Sequence, residues 1–385
     1  MSKGKFHAIV DSAWGSSGKG AVACRLAELL GVHNVSSNNF PNAGHSFVDE
    51  DGYTFVSKAL PTPLILNARR GKHLTGWVGP NSGFELDQFN REMSACAMAL
   101  GRDLYVHARA AITMQHHKDA EGPGGTLSTL AISSTMSGAG ATYSLKAMRQ
   151  DNTVLASECI ASPGSLEPWK FWQAVQTQLD ELDRSFLHEV SQGFALSLDH
   201  GTHARTCTFR NCTPQQAYAD FAIRPDQVGD VYLNLRTFPI RVGNNYDADG
   251  NQVGYSGDCM PDQRELDWVA VARQAGFPDD EVAALAEKER TTVTKKIRRV
   301  FTHSFDLTAQ SARMCNATKL VLNFVHYLNW SDLDRRGGRD TFLTMSAETR
   351  EFVARLEAVT GLPVVMIGTG AKHDSYVLPY DTLNP

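Results

Sequence analysis

Apolar positions come in short runs that alternate with helical spacing, and the alternation predicts parallel strands joined by helices. Phe6 to Val10 is a buried-type run ending at Asp11, and Ala21 to Leu30 has apolar residues at helical spacing, with Gly31 as its stop. Between them lies the glycine-rich turn Trp14-Gly-Ser-Ser-Gly-Lys-Gly20. Further helices are expected at about 86–100 and 169–182. Thr213-Pro-Gln-Gln216 should open another, with a cap, a proline at the first helical position and a glutamine three residues on. Phe186–Val190, Val231–Phe238, Lys319–Asn323 and Val364–Ile367 read as strands. The fold class that follows is α/β, a mostly parallel central sheet flanked by helices, in one domain over residues 1–385. Met114–Gly140 reads as a long functional loop, and Arg241–Arg264 as a loop or hairpin turning at Asp247-Ala-Asp-Gly250.

Composition narrows the partners. A net charge of -5 provides no field for a nucleic-acid backbone, and no apolar run reaches the ~20 residues of a membrane span. Seven cysteines without a C-x-x-C pair fit a reducing compartment, so cytoplasm is the expected location.

The glycine turn invites comparison with G-x-x-x-x-G-K-[ST]. Here the octet is Ala13-Trp-Gly-Ser-Ser-Gly-Lys-Gly20, so the first glycine and the final hydroxyl are both missing. Gly15, Gly18 and Gly20 still allow backbone N–H groups to face a phosphate, the following helix offers its N-terminus, and Lys19 supplies a cation. Asn42-Ala-Gly-His45 is a second candidate, with glycine permitting close approach and an imidazole able to donate to a phosphoryl oxygen.

Together these two motifs resemble the W-G-D-E-G-K-G turn and N-A-G-H loop of the adenylosuccinate synthetase family. Ile132-Ser-Ser-Thr-Met-Ser-Gly-Ala-Gly140 with Tyr143 and Arg149, Glu189-Val-Ser-Gln-Gly193, Asp199-His-Gly-Thr202, Arg241-Val-Gly243, Thr318-Lys-Leu320 and Gly368-Thr-Gly370 continue the likeness in the family's order. The resemblance implies a P-loop-like synthetase fold and a homodimer that joins aspartate to a 6-oxopurine nucleotide, using a nucleoside triphosphate and Mg²⁺. It places the triphosphate on Gly15, Ser17, Gly18, Lys19, Gly20, Gly44, His45, Lys319, Gly368 and Gly370. The nucleoside monophosphate falls to Ser16, Asn42, Ser134, Thr135, Gln192, Thr206, Cys207 and Val242, with Arg149 reaching across from the other subunit. Ser16, Lys19 and His45 are the implied catalytic residues, and Ser16 and Gly44 the implied metal contacts.

The departures refine the expectation. The family has carboxylates where this chain has Ser16 and Ser17, the first being its base for purine N1. A serine there makes room for a 2-amino group and resembles the phage branch of the family, the 2-amino-2'-deoxyadenylosuccinate synthetases, which use dGMP. The family's guanine-reading T-K-L-D corresponds to Thr318-Lys-Leu-Val321, whose valine cannot accept hydrogen bonds, so ATP or dATP is the expected donor. The arginine-rich aspartate loop is read as replaced by Gly254–Asp258 and Arg264, with Ser256, Gly257 and Arg264 as aspartate contacts. Two other readings stand beside this one: an IMP-using synthetase, and a non-catalytic phosphate-binding relative. His116-His117 is read as solvated loop, Lys295-Lys-Ile-Arg-Arg299 as an exposed strand or a triphosphate-side patch, and Trp169, Phe171 and Trp172 as core.

Overall fold

The computed structural model describes residues 3–291 and 296–384. Ten strands form its main sheet: β1 (Phe6–Asp11), β2 (Asn34–Ser37), β3 (Thr75–Val78), β4 (Leu104–His107), β5 (Ser165–Leu166), β6 (Phe186–Gly193), β7 (Val228–Arg236), β8 (Lys319–Asn323), β9 (Val364–Gly368) and β10 (Tyr376–Val377). In space they run β10-β9-β8-β7-β1-β6-β2-β3-β4-β5, all parallel except β10, which pairs antiparallel with β9.

Alternate residues of the central strands enter two different cores. Ile9, Tyr232, Val321 and Met366 belong to one buried cluster, whereas Val10, Leu233, Leu322 and Ile367 belong to another. A sheet covered on both faces needs apolar side chains on both, which is why its strands read as continuous apolar runs. The chain leaves β1 toward one edge of the sheet and later returns to build the other. The loops after β1, β6, β7 and β8 therefore gather at one carboxyl end, where doubly wound sheets place ligands.

A smaller antiparallel sheet of Ile240–Arg241, Glu265–Leu266 and Arg299–Phe301 stands beside this end. Its own core includes Phe238, Trp268, Phe277, Leu285 and Tyr327. The expected hairpin forms from Asn245–Tyr246 and Gln252–Gly254, with Asp247 Oδ1 accepting from the backbone N–H groups of Asp249 and Asn251.

Several local expectations change. Met114–Gly140 is not one loop: it holds a helix at Gln115–Glu121 and a short turn of helix at Leu130–Ile132. His117 is buried, because its Nδ1 accepts from the Met114 N–H at 2.9 Å, and burial together with His116 lowers its pKa to about 4. Trp169 is 69% exposed, so of that aromatic trio Phe171 is the buried core residue. The helix predicted at 86–100 is shorter, at Leu86–Ala95, whereas the one predicted at 169–182 runs over Pro168–Gln176 and continues as a π-helical turn over Thr177–Glu181. Lys295, the first residue of the basic run, lies outside the described residues. Among the described residues no helix is long and apolar enough to cross a membrane.

Candidate active site

The turn after β1 is built from beneath. Asp11 is buried, and its Oδ1 accepts from the N–H groups of Ala13 at 2.7 Å and Gly15 at 3.3 Å. Gly15 and Gly18 take φ values of 85° and 79°, where a side chain is strained, and Ser16 joins them at 53°. Helix α1 (Lys19–Leu30) starts from Gly18 with no side-chain cap and no acidic residue in its first turn. An uncapped first turn keeps amide donors and the positive end of the helix dipole for an anion. Gly20 stands where a hydroxyl is usual because a Cβ there would lie 2.8 Å from the Ser46 carbonyl and 3.1 Å from His45 Cβ. The missing side chain is what lets α1 pack against the His45 strand.

Lys19 is buried, and its Nζ donates to the Gln192 carbonyl. Burial lowers the pKa of its ammonium, opposed by the charges of Asp11 and Glu189. His45 Nδ1 lies 2.8 Å from Glu189 Oε1. Glu189 also accepts from the Thr62 N–H at 3.1 Å and the Thr62 hydroxyl at 3.3 Å. Burial alone would raise this carboxyl, but His45, the Thr62 N–H and Lys19 hold it below its ordinary range. A buried carboxylate behind Nδ1 orients the imidazole.

These groups open onto one cavity of about 950 Å³ at the carboxyl ends of the strands. Of the residues expected from sequence, Gly15, Ser16, Ser17, Gly18, Lys19, Gly20, Asn42, Gly44, His45, Ser134, Thr135, Gln192, Thr206, Cys207, Val242, Ser256 and Gly370 line it. Asn42 Oδ1 is buried with no protein partner. Ser17 is buried, and its hydroxyl accepts from Asn234 Nδ2 at 2.6 Å; Ser16 is exposed, and its carbonyl accepts from Arg236 Nη1 at 2.7 Å.

Five expected residues lie elsewhere. Lys319 begins β8, at the opposite end of the strand from the cavity, and its Nζ donates to Asp230 at 2.8 Å and Asn384 at 2.6 Å. Val321 is fully buried within the same strand, and none of Thr318–Val321 lines the cavity. Gly368 ends β9 behind the Asn323 side chain. The Gly257 carbonyl accepts from Arg299 Nη1 at 2.7 Å, outside the lining. Arg264 is exposed and its backbone pairs with Thr302. Arg149 is exposed just beyond helix α2 (Ala139–Ala147) and does not line the cavity of its own chain.

Sequence reading overlooked other wall residues. Glu189 and Arg241 lay inside motifs already noticed, but the spacing gave them no role. Arg241 is buried, its guanidinium 4.4 Å from the Trp14 ring centroid, and its Nη1 donates to the Ser256 carbonyl. Its Nε and Nη2 have no protein partner, and burial with the nearby Arg299 brings its pKa down to about 10. Arg298, from the basic run, also lines the cavity and bonds Glu289 Oε2 at 3.1 Å. At the far wall stand Phe324, His326, Tyr327 and Trp330, just beyond β8.

A family model described as adenylosuccinate synthetase matches residues 8–160. The chain is 33% identical, over 338 residues, to the N6-succino-2-amino-2'-deoxyadenylate synthase of Salmonella phage PMBT28, covering 83% of this chain and 85% of that protein. Among solved structures it resembles the succinoaminodeoxyadenylate synthetase of Cyanophage S-2L bound to dGMP and dATP as an energy donor. That likeness has a TM-score of 0.77 at 28% identity and covers 98% of this chain and 96% of the other. Fully ligated adenylosuccinate synthetase from Plasmodium falciparum shares the fold, with a TM-score of 0.76 at 16% identity over 97% of this chain and 100% of that one.

Proposed function

The chain belongs to the adenylosuccinate synthetase family, and we propose that it joins L-aspartate to C6 of dGMP, driven by hydrolysis of ATP or dATP. The γ-phosphoryl group passes to purine O6 as the N1 proton leaves, converting a poor leaving group into phosphate. The aspartate amine then attacks C6, the C6–O6 bond breaks, phosphate departs and the amine loses a proton. The products are N6-succino-2-amino-2'-deoxyadenylate, the nucleoside diphosphate and phosphate, a precursor suited to 2-aminoadenine DNA.

Lys19 and the amides of the turn would hold the donor phosphates, and His45, backed by Glu189, would donate to the transferring phosphoryl group. Ser16 is the group proposed to take up the N1 proton as its own hydroxyl proton passes to water, since a neutral hydroxyl cannot keep both near neutral pH. Asn42, Ser134, Thr135, Gln192, Thr206, Cys207 and Val242 would line the dGMP site. Ser256 and the guanidinium of Arg241 replace Arg264 as the aspartate contacts. The cation suits a carboxylate, and its free N–H groups support that assignment.

Among the described residues no three His, Cys, Asp or Glu groups converge to cage a metal. The Ser16 hydroxyl and the Gly44 carbonyl are neutral oxygens at the cavity wall, a donor set that fits Mg²⁺ held largely by phosphate and water. Bound there, Mg²⁺ would neutralise charge on the transferring group. The exposed position of Arg149 supports its reaching the dGMP phosphate of a second copy in a homodimer.

The observation that carries this reading is the meeting, across one cavity, of a phosphate turn bearing Ser16 and the His45–Glu189 couple. The test is incubation with aspartate, Mg²⁺, ATP and either dGMP or IMP, with nucleotide products resolved by mass. A succinylated product from dGMP is expected. Product from IMP alone would overturn the reading, and product from neither would make the protein a binder only.

A further inference from the structure

Two residues of one strand hold the two serines of the phosphate turn. Asn234 and Arg236 alternate at the end of β7 and so share a face of the sheet. Asn234 Nδ2 donates to the Ser17 carbonyl at 3.1 Å and to the Ser17 hydroxyl at 2.6 Å, whereas Arg236 Nη1 donates to the Ser16 carbonyl at 2.7 Å. Ser16 stands at φ 53°, a left-handed conformation that a residue with a Cβ keeps only where its surroundings fix it. Its side chain is exposed to the cavity, so the direction of its hydroxyl follows from that backbone. Arg236 is buried and held in turn. Its Nη2 donates to Glu289, and its guanidinium lies 4.0 Å from the Phe324 ring centroid. Glu289 also accepts from Tyr327 at 2.6 Å and from Arg298 at 3.1 Å, and it ends the helix Asp279–Lys288, whose Val282 and Leu285 belong to the smaller core.

We propose that Arg236, braced by Glu289, is the positioning residue that sets Ser16 for the chemical step. The proposal rests on the ligase reading, in which Ser16 takes up the N1 proton. A planar guanidinium donates in two directions at once, here to Ser16 and to Glu289, and so ties the turn to the wall of the smaller core. A lysine ammonium brings the same charge without that fork. The two anchors on β7 divide the turn between them. Asn234 holds Ser17, on the side given to the donor phosphates, and Arg236 holds Ser16, on the side given to dGMP. Loss of the Arg236 anchor therefore displaces the proton acceptor while the donor-phosphate amides stay in place. A misplacement of about 1 Å at a reacting group costs on the order of 10²-fold in rate, so a small relaxation of Ser16 is enough to be seen. Arg236 also lines the cavity, so the test has to separate action through Ser16 from direct action on substrate.

Full-length wild type, Arg236→Lys, Ser16→Ala and the double variant are compared for succinylated product from dGMP, aspartate, Mg²⁺ and ATP, accumulated over long incubations and resolved by mass. ADP affinity of each is read by calorimetry. Arg236→Lys should lower kcat roughly 10- to 100-fold while the Kd for ADP stays within about threefold of wild type. In the Ser16→Ala background the same change should cost less than about threefold more, because the group it positions is gone. Should Arg236→Lys fail to fold by thermal melting, Arg236→Met, which keeps bulk over Phe324 and leaves Glu289 its bond from Arg298, takes its place with the same expected split. A kcat unmoved in the folded variant, or an ADP affinity that falls as far as kcat, overturns the proposal. So does a loss that recurs undiminished in the Ser16→Ala background, which would have Arg236 act on substrate directly. A wild type that makes no product from dGMP overturns the ligase reading itself, and the proposal with it.

Discussion

Replacing Glu189 by Gln separates the two duties of this carboxylate, orienting His45 and holding the Thr62 loop. The carboxylate receives His45 Nδ1 at 2.8 Å and two donors of Thr62 at 3.1 and 3.3 Å. A charged hydrogen bond contributes about 1.5–3 kcal/mol and a neutral one about 0.5–1.5, so exchanging three such contacts costs about 3–4.5 kcal/mol of stability. The amide oxygen can still accept from Thr62, which turns the amide N–H₂ toward Nδ1 and disfavours a proton there. By analogy with carboxylate-to-amide changes behind a catalytic imidazole, kcat should fall roughly 10²- to 10⁴-fold with the KM for dGMP little changed. The pH dependence adds a second signature. The folded carboxyl lies below its ordinary value of 4.5, so its stabilisation is complete above pH 4.5 and disappears as pH falls through the folded pKa. The amide has no such titration, so its acid unfolding curve should be flatter. Phosphate release with dGMP and aspartate, alongside thermal melts from pH 3 to 7, measures both. A variant whose stability drops while kcat stays within about threefold of wild type would refute the orienting role and leave Glu189 structural.

Four more outcomes follow from the same geometry. Ser16→Asp should lower kcat/KM for dGMP by about tenfold or more, by placing a charge and extra bulk beside the 2-amino group; unchanged dGMP kinetics would remove Ser16 as a specificity element. Arg241→Lys keeps the charge but loses the planar fork, and should raise the KM for aspartate roughly tenfold while sparing that for dGMP; a change in the dGMP constant alone would contradict the assignment. Mixing inactive Lys19→Ala and Arg149→Ala proteins should restore partial activity if Arg149 serves the neighbouring subunit, and no recovery on mixing would argue against shared sites. Trp169→Ser, at a side chain 69% exposed, should change stability by less than about 0.5 kcal/mol in chemical denaturation.

Short-range chemistry carried the sequence reading a long way. A strand, a glycine turn and an amphipathic helix lie close together, and each is dictated by neighbours within a few residues, so β1, the phosphate turn and α1 appear where the pattern put them. The alternating elements also specified a parallel sheet, because apolar runs without polar alternation have to be covered on both faces. Even the Ser16 departure was legible, since it is a substitution within a local motif.

Tertiary structure decided which end of each element matters. The apolar run tells that β8 is covered on both faces, but not that Lys319 sits at the end remote from the cavity while Phe324 and His326 follow the end that meets it. Only the sheet order settles that, by bringing the carboxyl ends of β1, β6, β7 and β8 together. The same convergence sets Glu189 behind His45, and Arg241 on Trp14, from distant parts of the chain. No local pattern encodes such pairs, because burial and charge pairing act on whatever the topology places within a few ångströms, however far apart the residues lie in sequence.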